Sequence, residues 1–416
     1  MAQEPDPRPG LTRRHVITSA GALAGGLALS GCKYGTQVFL ATQVPPVPPQ
    51  PEWADARVRR YRRLGRTGFE MSDISFGSAN LQEADVVRRA VAQGINYFDT
   101  SPDYSNARSE RAIGEGIRGA PRDTLFVASK FCTPNGHLAD GVSVDRAIRA
   151  VEDSLRRIGT DHLDLIHVHA VNSIDRLMAP HIHEAFDRLK EAGKVRFLGV
   201  SSHTPDLERV MRHAVDSDRF DVIMVAYNYQ HWPSIGEIFH DAHERDIGVV
   251  AMKTLKGAYQ AKLDDFTATE KESFAQAALT WVLSNQDVSG LVISIDRPEQ
   301  IDEYLMASGR PFEPADQALL ERYDGQVSGI YCRPGCGACL DSCPHNVPVD
   351  DVLRWRMYSE NYGRHDEASS RYAALDAARS PERCVGCAAP CVSACPFDLP
   401  VQSRLLGAAQ RLGGRP

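Results

Sequence analysis

The chain has 416 residues, 43% of them apolar and 24% charged, with a formal net charge of −7. That length fits one large domain plus a smaller one, and the composition is that of a soluble globular protein. The acidic balance, with no basic or aromatic–basic stretch, excludes a nucleic-acid partner, and no run reaches the roughly 18–20 apolar residues of a membrane-spanning helix.

The N-terminal segment reads as an export signal. Thr12-Arg13-Arg14-His15-Val16-Ile17 resembles a twin-arginine motif and runs into a small-residue apolar stretch. That stretch ends in Leu29-Ser30-Gly31-Cys32, which resembles a lipobox, so Cys32 is the expected lipid anchor to a membrane. Arginine pairs recur at Arg59-Arg60 and Arg62-Arg63, so the pair alone carries little; position, apolar run and lipobox together carry the reading. Residues 1–32 are assigned to the signal and residues 33–57 to a linker, stiffened by the prolines from Pro45 to Pro51. The expected location is the periplasm or cell envelope. Twin-arginine transport carries folded, cofactor-loaded proteins, which bears on the cysteines described below.

From Tyr61 to Tyr323 short β-branched runs alternate with helical stretches. The expected strands are Ile74–Gly77, Ile95–Thr100, Leu125–Lys130, Leu163–His169, Val195–Ser201, Val222–Asn228, Gly248–Lys253 and Gly290–Ile295. Amphipathic segments lie between them, among them Val144–Ile158, His183–Ala192 and Lys271–Ser284. The α/β pattern predicts a (β/α)₈ TIM barrel over residues 58–325, with active residues at the C-terminal strand ends. An open doubly wound sheet competes, but no Gly-x-Gly-x-x-Gly turn follows the first strand.

Several strand ends carry polar groups that packing would avoid: Phe98-Asp99-Thr100-Ser101-Pro102-Asp103-Tyr104, then Ser129-Lys130, then His167-Val168-His169. With the opening Tyr61-Arg62-Arg63-Leu64-Gly65-Arg66-Thr67-Gly68, this resembles the aldo-keto reductase family as far as Glu303. The resemblance implies a catalytic tetrad of Asp99, Tyr104, Lys130 and His169. In it Tyr104 gives a proton to the oxygen of a carbonyl that receives hydride. Free tyrosine titrates near pH ~10, and Lys130 alongside would lower that value, with Asp99 holding Lys130 charged and His169 orienting the carbonyl. Taken singly, the four read as a helix cap, a rim aromatic, a surface charge and a core histidine. Their placement at successive strand ends favours a site. His167 departs from the family, which has an aliphatic residue there; a buried, hydrogen-bonded histidine is expected, with a proton relay as the alternative. Cys132, His203, His231 and Trp232 are candidate pocket residues.

The resemblance also implies a nicotinamide dinucleotide, NADP(H) or NAD(H), across the barrel mouth. Ser201-Ser202 stands where the family holds the carboxamide with serine and asparagine, and Asn228 follows the sixth strand. The glutamine usual three residues before Tyr227 is Met224 here. After the last strand, Ser294 to Gln300 resembles the adenosine loop, with Gln300 suited to adenine. Asp296 stands where a basic residue often meets the 2′-phosphate, leaving Arg297 to compensate.

Eight of the ten cysteines form two quartets, each closed by Cys-Pro: Cys332, Cys336, Cys339, Cys343 and Cys384, Cys387, Cys391, Cys395. Cys343-Pro-His-Asn-Val-Pro-Val349 repeats as Cys395-Pro-Phe-Asp-Leu-Pro-Val401, and the segment 350–378 between them reads as helical. The quartets resemble the ligand runs of bacterial two-cluster ferredoxins, which implies two [4Fe-4S] clusters in residues 326–416, a mainly α-helical module. By that likeness the fourth cysteine of each run serves the other cluster, although one three-residue gap in each run departs from the pattern. Structural zinc and disulfides are the competing uses of such cysteines. The resulting expectation is an exported iron–sulfur oxidoreductase acting on a small-molecule carbonyl or alcohol, with electrons from a nicotinamide, the clusters or both. A membrane-associated protein is the expected donor to the clusters. The alternative is an envelope electron-transfer lipoprotein whose barrel is a nicotinamide-independent binding module.

Overall fold

The computed structural model describes residues 51–203, 206–230, 235–255, 274–327, 329–330, 332–333, 336–361 and 365–413. The export motif, Cys32, most of the proline-rich linker, His231, Trp232 and residues 271–273 lie outside the described residues. Among the described residues no helix is long and apolar enough to cross a membrane.

Eight parallel strands close into a barrel: Ile74–Gly77, Tyr97–Asp99, Phe126–Lys130, Leu163–Val168, Val195–Ser202, Val222–Ala226, Gly248–Met252 and Gly290–Ser294, the last pairing with the first. The expected strands are all present, but several stop one or two residues sooner. The backbone leaves the extended region as it crosses the mouth: Ala170 and Lys253 take φ values of 49° and 55°. Helix Val144–Ile158 has the expected bounds, because Ser143 accepts a hydrogen bond from the Arg146 N–H and Gly159 turns left-handed at φ 76°. Helix Pro180–Glu191 begins three residues before the expected His183, since Pro180 suits a first turn.

Alternation along the strands sorts side chains to two faces. Outward residues such as Ile166, Val168, Val200 and Val225 pack in the large core under the helices. Inward residues Tyr97, Phe126, Leu165, Met224, Val250 and Val292 fill the barrel, with Tyr97 and Phe126 stacked at 5.3 Å. Each such fully buried large side chain is worth about 1.5–3 kcal/mol. A hairpin, Tyr61–Arg63 with Glu70–Ser72, closes the floor and sends Leu64 and Met71 into that inner cluster. Gly65 sits at φ 46°, and a Cβ there would lie 2.3 Å from the Gly248 nitrogen, so only glycine fits this turn.

The C-terminal module has its own core, in which Val347, Val352, Trp355, Tyr372, Leu399 and Leu405 pack with the cysteines. The sequence repeat is also a backbone repeat. Asn346 and Asp398, equivalent in the two units, are both left-handed at φ 48° and 53°, and helices Val349–Asn361 and Val401–Leu412 follow them. The segment expected to be helical holds the rest of the first helix and a second, His365–Ala373.

Candidate active site and cluster module

Strand ends two, three and four bring the four expected catalytic side chains together. Lys130 Nζ donates to both Asp99 carboxylate oxygens and to the Thr100 carbonyl, each at 2.8 Å. Burial raises the Asp99 carboxyl above its ordinary range, and the Lys130 ammonium opposes that rise. The same ammonium lies 4.7 Å from the centre of the Tyr104 ring, and the His169 ring meets Tyr104 edge-on at 6.2 Å. One buried cation thus faces a carboxylate on one side and a phenol on the other.

The loop carrying Tyr104 is strained. Ser105, Asn106 and Ala107 follow it at φ 48°, 53° and 64°, three non-glycine residues in succession in the left-handed region. Each costs about 1–2 kcal/mol relative to ordinary backbone, and such strain gathers where geometry serves a site.

His169 has a second set of neighbours. Cys132 Sγ lies 3.0 Å from its Nδ1, Asp103 Oδ2 4.0 Å from the same nitrogen, and the His137 ring 4.6 Å from its own. Burial pushes the Cys132 thiol well up, with the Asp103 charge adding to it. Sequence reasoning noticed Cys132 but missed Asp103 and His137. The signal was there: Thr133-Pro134-Asn135-Gly136 is a turn sequence, and it pairs Cys132 with His137 across a two-stranded hairpin.

His167 is buried as expected, but it is not satisfied. Neither ring nitrogen makes a hydrogen bond of normal geometry, and the ring rests over Gly199, where a Cβ would lie 2.6 Å from Nδ1. Burial, then the Lys130 charge, holds this imidazole neutral well below its usual range, and the Val200 backbone only partly offsets them.

The expected cofactor residues line the other side of the mouth. Ser201 Oγ accepts from the Ala170 N–H at 3.1 Å, and Ser202 Oγ donates to the Val171 carbonyl at 2.8 Å. Asn228 donates to the Lys253 carbonyl and accepts from the Gln230 N–H. Gln300 Oε1 accepts from the Asp296 and Arg297 N–H groups, so its oxygen caps the helix Pro298–Leu305. Arg297 Nε stands 3.8 Å from Asp296 Oδ1, and its Nε and Nη2 are buried without a hydrogen-bond partner. A partly exposed guanidinium with two covered, open donors fits an anionic group such as a dinucleotide phosphate.

In the C-terminal module the thiols group across the two runs. Burial pushes the Cys339 thiol up to about 11, with Cys395 the next contributor. Burial likewise pushes Cys384 up to about 11, with Cys343 the next contributor. Cys343 also leads the neighbours of Cys391, and Cys339 and Cys336 are the sulfur neighbours of Cys332. Cys395 thus lies near the first run and Cys343 near the second, with Cys391 a further neighbour of Cys339. All eight are free thiols, and backbone N–H groups of Val347 and Ala389 point at Cys343 and Cys387 sulfurs at 3.4 and 3.5 Å. Eight clustered thiols with N–H donors to sulfur fit iron–sulfur ligation.

A family model described as the aldo/keto reductase family matches residues 73–324, and one described as a 4Fe-4S dicluster domain matches residues 331–399. The chain is 27% identical over 286 residues to L-galactose dehydrogenase of Arabidopsis thaliana, covering 59% of this chain and 87% of that one. It is 25% identical over 293 residues to the uncharacterized oxidoreductase YqkF of Bacillus subtilis (strain 168), covering 60% and 91%. Among solved structures, the aldo-keto reductase AKR11C1 from Bacillus halodurans in its holo form aligns with a TM-score of 0.52 at 23% identity, covering 64% and 96%. That last likeness speaks to the fold.

Proposed function

Since this chain belongs to the aldo/keto reductase family and is an oxidoreductase with an iron–sulfur module, we propose that its barrel reduces a small-molecule carbonyl, or oxidises the matching alcohol, with Tyr104 as general acid or base. The observation that carries this reading is the position of Lys130, tied to Asp99 and facing the Tyr104 ring at 4.7 Å. A bound nicotinamide would supply or accept the hydride. The chain's own residues do the rest. Tyr104 passes a proton to the carbonyl oxygen, and the Lys130 ammonium stabilises the phenolate left behind. Asp99 holds that ammonium in place through both carboxylate oxygens, and His169 orients the carbonyl beside Tyr104. Arg297 would meet a phosphate of the dinucleotide, and Ser201, Ser202 and Asn228 frame the nicotinamide side of the mouth.

The C-terminal module would hold two [4Fe-4S] clusters on the two cysteine sets. Its placement supports an electron path to the barrel, because the cluster module is bonded to the chain one residue past Ser202. We also infer export by the twin-arginine route and anchoring through Cys32, which makes a membrane-associated electron donor the natural partner. The same placement favours, as a second reading, a lipoprotein whose barrel binds a small molecule and leaves redox chemistry to the clusters. An anaerobic titration of cluster-loaded mature protein with NADPH and NADH, read by tryptophan fluorescence, separates the two. Saturable micromolar binding supports the reductase. No binding, in protein free of retained dinucleotide, overturns the nicotinamide part.

A further inference from the structure

A second constellation shares His169 with the proposed tetrad. Asp103, Cys132, His137 and His169 each present one donor atom, and all four donors lie within 4.8 Å of one another. They come from three separate segments: the loop after strand two, the hairpin after strand three and the end of strand four. Carboxylate oxygen, imidazole nitrogen and thiolate sulfur are the donors of tetrahedral zinc sites. With bonds of about 2.0–2.3 Å, such a site spaces its donors about 3.3–3.8 Å apart. The two distances at His169 Nδ1, 3.0 Å to Cys132 Sγ and 4.0 Å to Asp103 Oδ2, bracket that spacing.

We propose that Asp103, Cys132, His137 and His169 bind a divalent transition metal of the zinc class at the mouth of the barrel. On binding, the Cys132 thiol gives up its proton to solvent, and carboxylate plus thiolate balance the two charges of the ion. Charge balance matters here, since Cys132 and His169 are buried. His137 also lines a cavity of about 290 Å³ with Asp140, Asn172, Asp175 and Arg176, which gives an ion a polar way in from solvent. Metal on His169 Nδ1 leaves the ring proton on Nε2, so the imidazole remains a donor on its other edge. The ion also fastens Asp103, next to Tyr104, and so braces the strained turn at residues 105–107. This inference does not depend on hydride transfer: metal content is read independently of turnover.

The test uses cluster-loaded mature protein, treated with a weak chelator and analysed for zinc alongside iron. Wild type is compared with Cys132→Ser and His137→Ala, each normalised to cluster absorbance. About one zinc per chain in wild type, falling at least tenfold in both variants, is expected. Cobalt(II)-loaded wild type should show a thiolate-to-cobalt charge-transfer band that Cys132→Ser lacks. Equal zinc in all three proteins, or a cobalt spectrum unchanged by Cys132→Ser, overturns the proposal and leaves Cys132 as a hydrogen-bond partner that fixes the His169 tautomer. If Cys132→Ser fails to fold, His137→Ala decides alone, since its side chain is only half-buried on the hairpin. Loss of activity in Tyr104→Phe with zinc retained separates this site from the reductase reading.

Discussion

His203 Nδ1 lies 2.6 Å from the Tyr358 hydroxyl, and the two rings stack at 5.6 Å with only 9° between their planes. The hydroxyl also donates to the His203 carbonyl, which leaves the Nδ1 proton to point at the phenol oxygen. His203 follows the fifth barrel strand, and Tyr358 belongs to the helix after the first cysteine quartet. Arg371 with Asp206, and Arg333 with Asp324, add further bonds between barrel and cluster module, and Asp324 also accepts from Gln230 within the barrel.

Replacing Tyr358 by alanine removes the stack and both hydrogen bonds. Proteolysis between residues 325 and 332 should become several-fold faster, while barrel stability changes little. Electron exchange between clusters and barrel should slow in parallel, measured by anaerobic stopped flow. Equal proteolysis and equal rates would show that this contact does not join the two functions.

Removing either member of the Asp99–Lys130 pair leaves a buried charge without its partner. Asp99→Ala should destabilise the protein by about 3–5 kcal/mol. Thermal unfolding of the cluster-loaded protein checks this. A loss below 1 kcal/mol would mean that water, rather than the pair, solvates Lys130.

His167 gives the protein a pH dependence whose sign is fixed by its depressed folded value. In the unfolded chain this imidazole takes up a proton below about pH 6.5, while the folded one stays neutral. Stability that is present above that pH is therefore lost as pH falls, by up to about 1.4 kcal/mol per pH unit. His167→Leu should remove this increment, so its advantage over wild type should grow from pH 7.5 to pH 5.5. A constant difference across that range would place the titration elsewhere.

Gly199 is tied to the same ring. Gly199→Ala places a methyl 2.6 Å from His167 Nδ1, and overpacking of this kind costs about 1–3 kcal/mol. In a His167→Ala background most of the penalty should go, leaving the Val222 carbonyl 3.2 Å from the methyl as the one tight neighbour. A penalty of undiminished size in the double variant would trace to the Val222 backbone instead.

The parts of this molecule that follow local rules could be read from sequence. Barrel strands show as β-branched runs, Ser143 and Gly159 bound a helix, and Asp99, Lys130 and His169 stand at or just past strand ends whose polar residues mark them. The cysteine repeat states its own duplication. What escaped depends on tertiary proximity. Asp103 and His137 meet at His169 only once three loops fold over the mouth, although the Pro-Asn-Gly turn announced the hairpin. His167 was placed inside correctly, but its missing hydrogen bonds come from its neighbours, Gly199 above all. The Tyr358 contact joins positions 155 residues apart, beyond any local pattern.

The most direct test of the reductase assignment is turnover of a carbonyl panel by cluster-loaded protein with NADPH, wild type against Tyr104→Phe. Cluster reduction is recorded in the same samples. Wild type should reduce at least one carbonyl, Tyr104→Phe should lose about 10²–10⁴-fold in kcat, and cluster reduction should be unchanged. Turnover that survives the loss of the phenol would contradict the reductase assignment and remove Tyr104 from the chemistry.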